Sequence, residues 1–429
     1  MPDDRWLYGW AMGYAAVGAA SLLVPLYAIE LGADAFLVGL LAATAAVAGV
    51  PGAILWGKLA GRTGRRRPFV LVALAATAVV LATMPLLDGP WSVLAANAVL
   101  WFFVAATAPV LNLIVVAGVP EKAWEGRFAR LNAIQGYGWL GGLLGGALWT
   151  ALTARAMPTL VAHRSFFLVT AAAALLGLVT VRGYYPEQSR VTERRFRTVY
   201  RRMTRRRGWG SGRYVRAVPF GPSRLYWALR TVRVEGIRDR FSPALGRYLA
   251  VATLFFGGFS LFFGPLPAYL TGAGYGTGEV FLLFVVSSAG SAATYELAGR
   301  LAATHDVRVL QTGALSIRVV AFPLVVLLGG VLPAEVGLVA VAALFAAIGV
   351  SWAVIAVTAT GLVTRLTPEP IRGEALGLYA ALGGLGGAVG SAAGGALAEV
   401  AGYLVTFGVA GGVVLVTAVL VFGSGRTTA

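Results

Sequence analysis

The distribution of positive charge between apolar segments constrains this chain more tightly than any motif. Apolar stretches occupy residues 7–30, 36–57, 69–87, 92–117, 129–153 and 165–183. After a polar interval they resume at 245–271, 277–302, 308–330, 335–362, 375–399 and 402–423. Each approaches the roughly 20 residues a helix needs to cross a bilayer. With the N-terminus inside and the sides alternating, 32 of the 35 Lys and Arg fall inside, as 1, 5, 3, 18, 2, 2 and 1 in successive segments. Two, Arg155 and Arg164, fall outside, and Arg318 lies within a span. Inner loops carry the Lys/Arg excess of membrane proteins, and one miscounted span in either half would scramble this partition. The expectation is an all-α polytopic protein with twelve transmembrane helices, multi-pass in the plasma membrane, with both termini cytoplasmic.

Composition narrows the chemistry. The chain is 58% hydrophobic and 12% charged, against about 25% charged for a soluble domain. It has no cysteine, and its histidines are His163 and His305. That excludes disulfides, thiolate metal sites and an imidazole cluster, so neither a metal nor a cofactor is expected. A membrane-embedded enzyme, such as a lipid-modifying transferase, would need convergent acids, histidines or a metal, and the few acids argue against it. No Gly-x-x-x-x-Gly-Lys-Ser/Thr loop is present to cradle nucleotide phosphates. The start, Met1-Pro2-Asp3-Asp4-Arg5, lacks a basic region with a cleavage site. Arginine outnumbers lysine 33 to 2, which suggests a GC-rich prokaryotic genome.

The two halves repeat. Pro25-Leu26-Tyr27-Ala28 with Gly32-Ala33 is matched by Pro265-Leu266-Pro267-Ala268 with Gly272-Ala273, at an offset of 240. Gly57-Lys58-Leu59-Ala60 is matched by Gly299-Arg300-Leu301-Ala302 at 242, and Pro120-Glu121 by Pro368-Glu369 at 248, with Gly126 and Gly373 following at 247. Because six is even, both halves enter the membrane in the same orientation. The expected units are a six-helix bundle over 1–183, a basic linker over 184–243 and a second bundle over 244–429. The linker carries 16 arginines. Within Arg194–Arg207, Phe196, Val199, Tyr200 and Met203 recur at helical spacing. That pattern suits an amphipathic helix on an anionic inner leaflet, with a solvated linker as the alternative. Nucleic acid is not an expected partner.

Gly57-Lys58-Leu59-Ala60-Gly61-Arg62-Thr63-Gly64-Arg65-Arg66-Arg67 resembles the loop between helices two and three of the major facilitator superfamily. Gly57, Arg62, Gly64, Arg65 and Arg66 match that pattern, while Gly61 stands where the family has an acid. The resemblance implies a cytoplasmic gate loop with an incomplete charge relay. It also implies two parallel-repeat bundles that move a small solute by alternating access, as a secondary active or facilitative permease, with no enzyme activity. A non-transporting sensor or scaffold of the same fold is the alternative.

Glycines spaced by four, Gly138, Gly142 and Gly146 in span five and Gly386, Gly390 and Gly394 in span eleven, read as packing faces. Pro25, Pro265 and Pro267 read as pivots or ordinary kinks. Arg318 is the sharpest local signal. Ten residues from Arg308, it lies about 15 Å into the membrane, where a cation is costly. No acid sits at its depth, leaving an anionic substrate, or carbonyls and hydroxyls of neighbouring helices, as its partner. Asn112, Asn132 and Gln135 are further polar candidates for substrate contact, and Tyr14, Trp352 and Tyr379 are aromatic ones. The expected assembly is a monomer.

Overall fold

A computed structural model describes residues 5–63, 66–115, 124–185, 242–368 and 371–423. The first half contains α1 (Trp6–Glu30), α2 (Ala35–Thr63), α3 (Arg67–Thr83), α4 (Pro90–Val115), α5 (Trp124–Thr153) and α6 (Thr159–Tyr184). The second contains α7 (Pro243–Phe263), α8 (Leu266–Gly272), α9 (Thr277–Thr304), α10 (Val307–Val331), α11 (Ala334–Arg365) and α12 (Arg372–Gly423). Beyond Tyr185, the linker with its expected amphipathic helix lies outside the described residues.

These helices make twelve crossings. Among the described residues, nine helical segments are long and apolar enough to span a bilayer. One of them is α12, whose 52 residues would run about 78 Å if straight, against a hydrocarbon core of about 30 Å. It is two spans, because the backbone leaves the helix at Gly402, with φ 79°, a left-handed conformation that glycine adopts without strain. Two more spans are α2, apolar over Ala35–Gly49, and α5, which carries Glu125, Arg127 and Arg130 in its first two turns. Together α7 and α8 form one crossing, broken at Gly264-Pro265, where proline offers no amide to continue the ladder. Helix α6 begins six residues before the apolar stretch, because His163 and Arg164 lie inside it.

Packing repeats from one half to the other. In the first half α1 lies against α5 and α6, α2 against α4, and α3 against α4 and α6. In the second, α7 lies against α12, α9 against α11, and α10 against α11 and α12, the same pattern shifted by six spans. Glycine sets the closest approaches. A Cβ on Gly138 would meet the Ala11 carbonyl, and one on Gly142 the Ala15 carbonyl, both inside 3 Å. A Cβ on Gly386 would meet the Thr253 carbonyl, and one on Gly390 the Gly257 carbonyl, again inside 3 Å. These contacts superpose if 248 is added to the α5 numbers and 242 to the α1 numbers. That register pairs Pro25 with Pro267, two residues along from the match the sequence suggests.

The halves meet along two helix pairs, α2 with the first part of α12 and α5 with α9. The repeat makes these contacts equivalent. At the first, Gly39 lies against Ser391 and Gly395; at the second, Gly146 and Thr150 lie against Phe281 and Gly278. Both lie toward the end expected to face outward. There Ala35, Val38, Ala268 and Ala398 form an apolar seal packed by Ile29, Ala33 and Tyr403. His163 of α6 adds a hydrogen-bond contact across the halves, its Nε2 2.9 Å from the Thr277 hydroxyl. At the same end Arg164 pairs with Asp88 at 2.6 Å and donates to the Tyr27 hydroxyl.

If glycine contacts hold each half together, Gly142→Ala and Gly390→Ala should each destabilise the protein by about 1–3 kcal/mol through overpacking. Gly141→Ala should be neutral, since a Cβ there meets nothing within 4 Å. Thermal unfolding of the purified protein in detergent reads the difference.

Candidate substrate cavity

Between the halves lies a cavity of about 470 Å³, walled by α1, α2, α4 and α5 on one side and by α7 and α9–α12 on the other. Helix α10 packs at the periphery, against α11 and α12. Its contribution to the wall is Arg318, the twelfth of its 25 residues. The long side chain reaches inward between α7 and α11.

Arg318 is 1% exposed. Its Nε donates to the Ser351 hydroxyl at 3.0 Å and its Nη2 to the Ile348 carbonyl at 3.1 Å. Ser351 in turn donates to the same carbonyl at 2.8 Å. The Phe259 ring lies 4.1 Å from the guanidinium carbon and Trp352 5.6 Å from it, both within cation–π range. The Nη1 is buried without a partner, and among the described residues no carboxylate pairs with Arg318. Helix hydroxyl and carbonyl groups thus satisfy two nitrogens, and the third is buried without a hydrogen bond. A buried charge short of partners is costly, and a ligand that supplies them relieves that cost.

The aromatic wall is continuous. Phe256 lies 6.3 Å from Trp352 and 5.7 Å from Tyr379, ring centre to ring centre, and Phe259 lies 6.4 Å from Trp352. Trp352 and Tyr379 line the cavity, as does Asn132 on the opposite wall. Gln135, three residues on, is half-buried and does not reach the wall, since it lies about 60° round the helix toward the Gly138 and Gly142 face that packs on α1. Tyr14 is also off the wall, wedged between Trp10 and Trp139 at 5.9 and 6.0 Å. Asn112 lies in α4, with its side chain outside the described residues.

Of the gate loop, Gly64 and Arg65 lie outside the described residues, as do the Arg62 side chain and the surroundings of Gly57. Arg66 is buried beside Tyr185 at the start of α3, and Arg67 donates through Nη2 to the Arg182 carbonyl. In the second-half copy Arg300 pairs with Glu296 at 2.8 Å, and Asp306 caps α10 through the Arg308 amide. Sequence reasoning passed over Ser287, Ser288 and Ser291, which line the cavity from α9. Their i, i+1, i+4 spacing, hydroxyls on one face of an apolar helix, was the available signal.

The family model described as Major Facilitator Superfamily matches residues 7–363. The chain belongs to the Major Facilitator Superfamily. It is a membrane transporter that works by alternating access on a small molecule, and not an enzyme. No curated protein matches it in sequence. Solved structures share its fold across nearly all of both chains. A mutant of the nucleoside transporter NupG is 12% identical, with a TM-score of 0.73, over 99% of this chain and 100% of that one. The xylose transporter XylE from E. coli is 17% identical, with a TM-score of 0.63, over 98% and 95%. The human organic anion transporter MFSD10 is 20% identical, with a TM-score of 0.56, over 98% and 100%.

Because the chain has no cysteine, introduced thiols report on wetting without background. Ser288→Cys should react with a membrane-impermeant maleimide in open vesicles. Val389→Cys, 70% exposed on the surface of α12, should resist it because that face meets lipid. Labelling rates for the two variants check the assignment.

Proposed function

We propose that this superfamily member carries a small anionic solute across the plasma membrane, with Arg318 binding the charge. The observation that carries the reading is a buried cation on the wall of the central cavity with an unpartnered donor and no carboxylate partner among the described residues. An anionic solute completes the coordination of Arg318 when it binds and leaves the cost of the buried charge behind when it departs. Ligand occupancy thereby acquires a differential energy between states, which a rocking mechanism requires. Asn132 on the first-half wall and Trp352 and Tyr379 on the second-half wall are the proposed contacts for the rest of the solute.

Charge asymmetry supports placing both termini and the 184–243 linker in the cytoplasm. On that assignment the apolar seal around Ala35, Ala268 and Ala398 closes the outer side, and the gate loop from Gly57 to Arg66 lies at the inner mouth. We read 1–183 and 244–429 as the two moving bodies, in a protein that works as a monomer. The arginine-rich linker suits contact with anionic lipid headgroups.

In vesicles containing the wild-type protein, uptake or efflux of organic anions should exceed that of empty vesicles. Arg318→Ala should lower it by about tenfold or more, as expected for losing a charge-assisted hydrogen bond, while membrane abundance stays unchanged. Unaltered anion flux in Arg318→Ala would contradict the role given to this residue. Absence of flux for every solute tried would favour a sensor that keeps the fold. An epitope tag at residue 210 should be reached only after the cytoplasmic face is opened.

A further inference from the structure

We infer that the transported solute is an organic monoanion with a flat apolar body, its charged group on the unpartnered edge of Arg318 and its body against Trp352, Phe256 and Tyr379. This rests on the transport reading above and names its substrate class.

Charge fixes the first part. Arg318 is the one charged residue among the described residues that line the cavity. The sequence places no second Lys or Arg at a comparable depth in any span. A single guanidinium compensates a single negative charge. A dianion would leave one charge uncompensated in a water-poor, aromatic-walled site, where that is expensive. Phosphate monoesters and dicarboxylates are therefore poor fits.

The guanidinium's orientation fixes the second part. Arginine presents five N–H donors in a rigid planar arrangement, with one fork made by Nε and Nη2 and another by the two Nη nitrogens. The first fork is occupied, by the Ser351 hydroxyl and the Ile348 carbonyl. The second retains both Nη1 donors and the other Nη2 donor, a spacing that matches the two oxygens of a planar carboxylate. Ser351 and Ile348 are thus positioning groups. They hold the guanidinium carbon 4.1 Å from the Phe259 ring and leave Nη1 buried without a hydrogen-bond partner.

The walls fix the third part. Next to the cation the cavity offers the rings of Phe256, Trp352 and Tyr379. Flat apolar groups gain both buried area and offset or edge contacts there. A short hydrophilic anion would satisfy Arg318 and leave this surface wet. The serines of α9 supply hydroxyls for polar substituents on the body, adding selectivity without charge.

Equilibrium binding of tritiated 2-naphthoate to the purified full-length protein in lipid nanodiscs tests the inference. Competitors would be 2-naphthamide, naphthalene-2,6-dicarboxylate and acetate, which vary the charge or the body separately. The expected result is saturable naphthoate binding, with each competitor weaker than unlabelled naphthoate by about tenfold or more. Arg318→Gln should abolish the discrimination between naphthoate and naphthamide. Ser351→Ala should weaken naphthoate binding while leaving naphthamide unchanged, and Ser351→Thr, which keeps the hydroxyl, should restore it. Equal competition by the amide or the dicarboxylate would overturn the inference, as would discrimination that survives Arg318→Gln or no saturable naphthoate binding. Proteoliposome uptake of the same label separates the two readings. The predicted binding selectivity without Arg318-dependent flux contradicts transport and leaves the ligand class standing. Arg318-dependent flux of another solute, without naphthoate binding, does the reverse.

Discussion

Lipid solvates an apolar helix about as well as another helix does, so burial of greasy side chains does not by itself hold this molecule together. Close backbone approach does. In both halves the central helix, α1 or α7, is pressed against a glycine-spaced neighbour until carbonyls lie where a Cβ would otherwise sit. Each half is thereby locked as a body. The seams between halves combine the same close backbone approach, at Gly39 and Gly395, with a phenylalanine seated over Gly146. Rocking of the two bodies requires these outer-end seams to open while the contacts within each half persist.

The central cavity inherits its chemistry from that plan. The repeat supplies two similar walls, and departures from the repeat supply function. Arg318 is such a departure, because adding 242 or 248 to the residue numbers of α3 finds no first-half cation that matches it. Its charge is stabilised by one hydroxyl, one carbonyl and aromatic faces, none of which carries a formal negative charge. The second half therefore holds a positive potential that the first half answers with the side-chain amides of Asn97 and Asn132 and with hydroxyls. A solute bridging the two would couple charge recognition in one body to weaker polar contacts in the other.

Much of this was legible in the sequence because the bilayer imposes a length scale and arginine marks one face of it. Twelve spans, parallel halves and the glycine faces of α5 and α12 follow from counting. So does the depth of Arg318, since one charge in an apolar run is conspicuous. Which way a side chain points was less legible. Asn132 and Gln135 look equivalent as letters, but the phase of α5 about its axis, set by Gly138 and Gly142 against α1, turns one of them to the cavity. Tyr14 is aromatic like Trp352, yet it fills the gap between Trp10 and Trp139 instead. The serines of α9 escaped notice because a hydroxyl can satisfy itself on its own helix, as Ser291 does on the Ser288 carbonyl. Their role shows only once α9 is seen to form the wall.

Transport requires the halves to separate where α5 meets α9. A Cβ built at Gly278 lies 3.6 Å from that of Thr150, within the 3.5–4.5 Å range typical of a disulfide. In this chain without native cysteines, Thr150→Cys with Gly278→Cys should cross-link on oxidation, and transport in proteoliposomes should stop and return on reduction. Full transport with the cross-link quantitatively formed would contradict the claim that these two bodies part to let the solute through.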